Sequence, residues 1–152
     1  MLAFVPFLLA VSATAFIASR FRPGPWYAAL AKPSWTPPGA VFGPVWSVLY
    51  LAIAVAGWRV WRNGGFDARR SLVFWAVQLL LNAAWSWIFF GLHRPALALL
   101  DIALLLASIA AFAFFAREFS ATAAWLFAPY AAWVVFAMAL NAAIVRANPG
   151  IG

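Results

Sequence analysis

The residues best suited to chemistry are aromatic rings and amides placed inside long apolar runs. Trp46 and Tyr50 are four apart and share a helical face. Gln78, Asn82, Trp85 and Phe89 follow at spacings of four, three and four, which again puts them on one face. Tyr130 and Trp133 lie within a later apolar run. If the three runs converge, Trp46, Tyr50, Trp85, Tyr130 and Trp133 can line one cavity. Flat rings of this kind suit a flat, hydrophobic, conjugated ligand, each contact adding about 0.5–1.5 kcal/mol beyond area burial. The amides of Gln78 and Asn82 need partners away from lipid. As links between helices they contribute about 0.6 kcal/mol on average. That plain role suits Gln78. Asn82 shares its face with Trp85, so it suits a link or a ligand contact equally.

Other reactive types are scarce. Asp101 stands a turn or two into an apolar run, where a helix N-terminus favours an anion. One carboxylate without a relay is weak support for proton pumping. His93 is the sole histidine and sits between runs beside Arg94-Pro95, as an exposed interface residue. There are no cysteines, which excludes disulfides and thiolate chemistry. No His or acid cluster has metal-ligand spacing. No Ser-His-Asp arrangement and no phosphate-cradling glycine loop is readable.

The elements that must position these residues are membrane helices. The chain has 152 residues, 68% hydrophobic and 9% charged, whereas soluble domains are about 25% charged. Five runs approach or reach the ~17–25 residues that cross a bilayer. They cover about 2–19, 41–61, 72–90, 96–116 and 122–146. The expected fold is all-α: one five-helix transmembrane domain over 1–152, with termini on opposite sides. The first run also resembles a signal peptide, but no Lys or Arg precedes it, so a retained helix is expected. Gly39 and Gly43 form a small pair suited to close backbone approach. Trp58, Trp61, Trp75 and Trp125 lie near run ends and fit an interfacial belt. Trp85 and Trp133 lie deeper.

A long ordered loop, about 20–40, separates the first two runs. It holds Pro23, Pro25, Pro33, Pro37 and Pro38, with a short helix expected over Trp26–Ala31. Prolines restrict their own φ and that of the preceding residue, so such a loop loses little entropy on ordering. Its length exceeds the ~12–15 residues of a plain connector, which marks it as a lid.

The formal net charge is +7. Its Lys and Arg flank the apolar runs, so they point to membrane anchoring and anionic headgroups, not nucleic acid. Orientation does not follow. Arg59, Arg62, Arg69, Arg70 and Arg117 fall on one side, and Arg20, Arg22, Lys32, Arg94 and Arg146 on the other, a tie.

Several stretches carry a resemblance. They are Trp26-Tyr27, Lys32-Pro33-Ser34-Trp35-Thr36-Pro37-Pro38-Gly39, Pro44-Val45-Trp46, Gln78 through Trp85, Phe89-Phe90-Gly91 and Pro129 through Trp133. In this order they resemble the translocator protein family, whose bacterial members are called tryptophan-rich sensory proteins. The resemblance runs from about Trp26 to Arg146. It implies a five-helix integral membrane bundle, commonly a homodimer, in a bacterial membrane. It implies porphyrins such as protoporphyrin and haem as ligands, with no required cofactor, alongside hydrophobic small molecules and lipid. The matching cavity positions are Tyr27, Trp46, Asn82, Trp85 and Trp133, with Trp26 in the lid motif, Tyr50 near by and Ala137 one turn beyond Trp133. Carrier, sensor or regulator is the first function it implies. Light-dependent porphyrin degradation is the alternative, with Trp46 and Trp133 as electron donors. A sterol- or lipid-binding partner is the third, but the proposed sterol motif needs an aromatic where Ala142 and Ala143 stand.

Overall fold

In the computed structural model, which describes residues 2–151, every regular element among the described residues is helical. The helices are α1 (Val5–Ser19), α2 (Pro25–Ala29), α3 (Gly39–Gly64), α4 (Arg69–Ser86), α5 (Pro95–Ala116), α6 (Ala121–Leu126) and α7 (Ala128–Ala147). Tight 3-10 turns cover Leu2–Phe4 and Gly65–Ala68, and a π turn, Trp87–Gly91, extends α4. Pro25, Pro95 and Pro129 stand in the first turns of α2, α5 and α7. A missing N–H is harmless there. Ser120 caps α6, its Oγ accepting the Ala123 N–H at 3.2 Å.

Three helical stretches are long and apolar enough to cross a membrane: Gly39–Gly91, Pro95–Ala116 and Ala121–Ala147. The expected count was five. The difference lies at two places. The first helix begins only at Val5, because residues 2–4 wind as a 3-10 turn, and its 15 residues fall short of a full span. The long stretch Gly39–Gly91 folds back on itself at Gly65, whose φ of 52° breaks the helix. Tyr50 then bonds to Asn82 and Trp75 to Ile53, pairings that make α3 and α4 antiparallel neighbours.

The last run is also divided, at Phe127, between α6 and α7. Pro129 has no N–H to offer the Trp125 carbonyl, so the Phe127 N–H turns back to the carbonyls of Ala124 and Trp125. The short helix expected over 26–31 ends at Ala29, with Leu30 already extended. Lys32 Nζ takes up the carbonyls of Tyr27, Ala28 and Leu30 at 2.7, 3.2 and 2.8 Å and closes it early.

Packing runs α3–α1–α4–α5–α7, and α6 closes back on α3. The core is centred on Ile53, Ala56, Val60, Phe112, Phe127 and Tyr130, all essentially inaccessible. Outward, Val48, Leu51, Leu80, Leu100 and Phe114 are exposed. Such a belt is unfavourable in water and well solvated by lipid chains.

Two small-residue and tryptophan expectations change. Nothing approaches Gly39 or Gly43 within 4 Å of where a Cβ would stand. The close contacts are instead at Gly57, covered by Trp75 and Phe7, at Gly64, covered by Phe119, and at Gly91, covered by Phe21 and Trp87. Trp75 is therefore buried, not interfacial, and its indole N–H donates to the Ile53 carbonyl at 2.8 Å. Only glycine at 57 lets the ring reach that carbonyl. Trp125 is 76% exposed and fits a membrane-interface belt.

Candidate ligand cavity

α3, α4 and α7 are held apart by large side chains, and a small cavity of about 50 Å³ remains between them. α3 contributes Phe42. Trp85 comes from α4, and Phe89 and Phe90 from the π turn. α7 supplies Trp133, Phe136, Ala137, Leu140, Asn141 and Ile144, and Tyr27 of α2 closes the top. The extra residue of a π turn re-aims side chains and is frequent at functional sites. Here the Leu92 N–H reaches back to the Trp87 carbonyl at 2.8 Å. That winding sets Phe89 and Phe90 edge to face, centroids 4.8 Å apart, with Trp85 against both.

The lining is almost wholly apolar. Asn141 is buried, but its amide is engaged with α5. Oriented to satisfy both groups, it donates to the Pro95 carbonyl at 3.0 Å and accepts the Leu99 N–H at 3.2 Å. Burial pushes the Tyr27 phenol above its ordinary pKa, so it stays a neutral hydroxyl. Lys32 stands over the Tyr27 ring at 4.8 Å.

A polar layer lies one to two turns before Trp85 on α4. Tyr50 Oη donates to Asn82 Oδ1 at 2.7 Å, and Asn82 Nδ2 donates to Tyr130 Oη at 3.1 Å. Tyr130 Oη donates to Gln78 Oε1 at 2.9 Å, and Gln78 Nε2 to the Trp75 carbonyl at 2.8 Å. The chain ties α3, α4 and α7 together. Trp46 packs on this layer, its ring 5.2 Å from Tyr50 and 6.1 Å from Tyr130.

Of the residues singled out from sequence, Tyr27, Trp85, Phe89, Trp133 and Ala137 line the cavity. Trp46, Tyr50 and Asn82 belong to the adjoining polar layer, with both Asn82 amide atoms taken by tyrosines. Trp26 stands outside the wall, stacked on His93 at 4.2 Å and edge-on to Phe89. Phe42, Phe136, Leu140, Asn141 and Ile144 were not anticipated. For the four on α7 the one legible signal is the spacing from Trp133 to Ile144, which repeats by three and four, and Phe42 of α3 carries none. Asp101 is buried in the second turn of α5 with its Oδ2 unpartnered, and it does not line the cavity. No group of three His, Cys, Asp or Glu that could hold a metal occurs among the described residues.

Residues 2–146 match the model of the TspO/MBR family. The chain belongs to that family. It is 42% identical over 150 residues to the translocator protein of Homo sapiens, covering 95% of this chain and 89% of that one. It is 37% identical over 152 residues to protein CrtK of Rhodobacter capsulatus, covering 97% and 93%. It is 37% identical over 147 residues to the tryptophan-rich sensory protein of Cereibacter sphaeroides, covering 95% and 90%. The TspO/MBR assignment makes this a membrane protein, in agreement with its outward apolar belt. The match also takes in α1, which the motif resemblance did not reach.

Proposed function

We propose that the protein binds porphyrins and similar flat hydrophobic molecules in the Trp85–Trp133 cavity, as a carrier, sensor or regulator. The chain crosses the bilayer five times in this reading, as one domain that pairs into a homodimer, and residues 20–38 act as the lid. One observation carries it: Trp85, Phe89, Phe90 and Trp133, together with Tyr27 of the lid, line a single cavity. Ligand pockets are usually about 300–1,000 Å³. A macrocycle therefore enters by displacing the lid and the aromatic wall, and the cavity of about 50 Å³ is the closed state.

Titrating purified protein with protoporphyrin in the dark tests binding. A saturable spectral shift is expected, weakened by about 0.5–1.5 kcal/mol in Trp133→Phe, the scale of one aromatic contact. No shift at any concentration rejects the reading and leaves a lipid-filled pocket.

A second reading is light-driven porphyrin degradation, favoured by two indoles lining the cavity itself. Trp133 then donates an electron to the excited macrocycle. Trp46 stands one layer away, against Tyr50 and Tyr130. Under light, Trp133→Phe should slow loss of the porphyrin bands far more than its occupancy explains. Loss in proportion to occupancy rules out a chemical role.

The five-crossing topology is tested by tags on each terminus, probed from one side of sealed vesicles. One tag is expected to be accessible and the other protected. Equal accessibility excludes an odd number of crossings.

A further inference from the structure

We propose that Asn148 is the clasp of the lid, a positioning residue whose side-chain amide grips the lid backbone at Ala31 and sets how fast the cavity opens. The proposal rests on the cavity reading above. Most contacts between residues 20–38 and the bundle are aromatic. Tyr27 meets Phe89 and Phe90, Trp26 meets Phe89, and Trp35 meets Phe136. Contacts of this kind are weakly directional and let the segment slide.

Asn148 differs. Its Oδ1 accepts the Ala31 N–H at 2.9 Å, and its Nδ2 donates to the Ala31 carbonyl at 2.9 Å. A planar amide is thus matched to donor and acceptor of one residue, as strands pair. Among the described residues, apart from the Val41 N–H that caps the start of α3 on the Pro38 carbonyl, these are the hydrogen bonds that join residues 23–38 to the elements from α3 onward. The lid side of the clasp is stiff. Lys32 Nζ binds the carbonyls of Tyr27, Ala28 and Leu30, so a hold on Ala31 is also a hold on Tyr27 over the cavity.

The other side of the clasp is built on the cavity wall. Asn148 Nδ2 also donates to the Ile144 carbonyl at 2.8 Å, and its backbone N–H reaches the same carbonyl at 3.1 Å. Ile144 is buried and lines the cavity. A ligand that displaces Ile144 shifts the clasp, which couples occupancy to the lid. Asn148 itself is only partly buried. Water competes for its bonds, so the clasp opens and recloses without unfolding α7.

The test compares wild type with Asn148→Ala and Asn148→Asp in lipid nanodiscs. Asp keeps an acceptor for the Ala31 N–H and loses the donor. Three readouts are taken: amide hydrogen exchange over residues 25–36, release of bound protoporphyrin after dilution, and the melting temperature. Loss of two hydrogen bonds predicts about a five- to hundred-fold rise in lid exchange and release for Asn148→Ala. Asn148→Asp should fall between, and melting should move little. Unchanged lid exchange in Asn148→Ala overturns the proposal. So does exchange that rises equally in all helices with a fall in melting temperature. If wild type binds no protoporphyrin, the ligand reading fails, and lid exchange decides the clasp by itself.

Discussion

Gly57→Ala is expected to destabilise the protein by about 1–5 kcal/mol, although alanine is the better helix former by about 1 kcal/mol. A Cβ at this position would stand 2.5 Å from Trp75 Nε1 and 2.8 Å from Phe7 Cδ1. Neither ring is free to retreat. Trp75 is held by its bond to the Ile53 carbonyl, and Phe7 packs edge-on to it at 5.0 Å. Overpacking costs about 1–3 kcal/mol. If the indole tips away, its buried N–H loses its acceptor, at about 1–3 kcal/mol more. Thermal unfolding in mild detergent measures the loss. Gly39→Ala and Gly43→Ala are the controls, since open space surrounds both. They should stay within about 0.5 kcal/mol of wild type. Trp75→Leu combined with Gly57→Ala should cost less than the two single losses added. A Gly57→Ala protein as stable as wild type would show that α1, α3 and α4 are not locked at this crossing.

Tyr130→Phe is the second large effect. The phenol is fully buried and serves two amides, accepting from Asn82 and donating to Gln78. Interhelical hydrogen bonds in membranes average about 0.6 kcal/mol. Here one deletion strands Asn82 Nδ2 and Gln78 Oε1 together, at about 1–3 kcal/mol each, so a loss of about 2 kcal/mol or more is expected. Adding Gln78→Leu removes one stranded group and should restore part of the stability. The measurement also decides what Asn82 does. As a link between helices, it makes Tyr130→Phe a stability mutant with nearly normal ligand affinity. If stability holds and affinity collapses, the polar layer serves the ligand directly.

Much of this is legible in the sequence. The all-helical class and the apolar character of the runs carry through, while the proline-rich connection holds one short helix, α2. The reason is local: hydropathy and missing N–H groups act on the residues that carry them. Boundaries were less legible. The break at Phe127 follows from Pro129, but Lys32 closing α2 early depends on a side chain folding back over three carbonyls. The cavity was read in part. Tyr27, Trp85, Phe89, Trp133 and Ala137 line it, whereas Trp46, Tyr50 and Asn82 form the layer beside it. Helical spacing places residues on one face, but it does not say which neighbour each turn of that face meets.

By itself, then, the sequence determined the solvent and the class of protein. An apolar chain with few charges folds in lipid, as helices, because backbone groups there have no other partners. Its ordered motifs determined the family. Tertiary structure decided who partners whom. Trp75 looks interfacial from its position near a run end, yet a glycine on another helix, 18 residues away in sequence, gives it a buried slot and an acceptor. Asn148 looks like a polar residue past the last helix, yet it meets Ala31 across 117 residues of chain. Such pairings arise only when helices distant in sequence come within hydrogen-bonding reach, a distance no local pattern encodes.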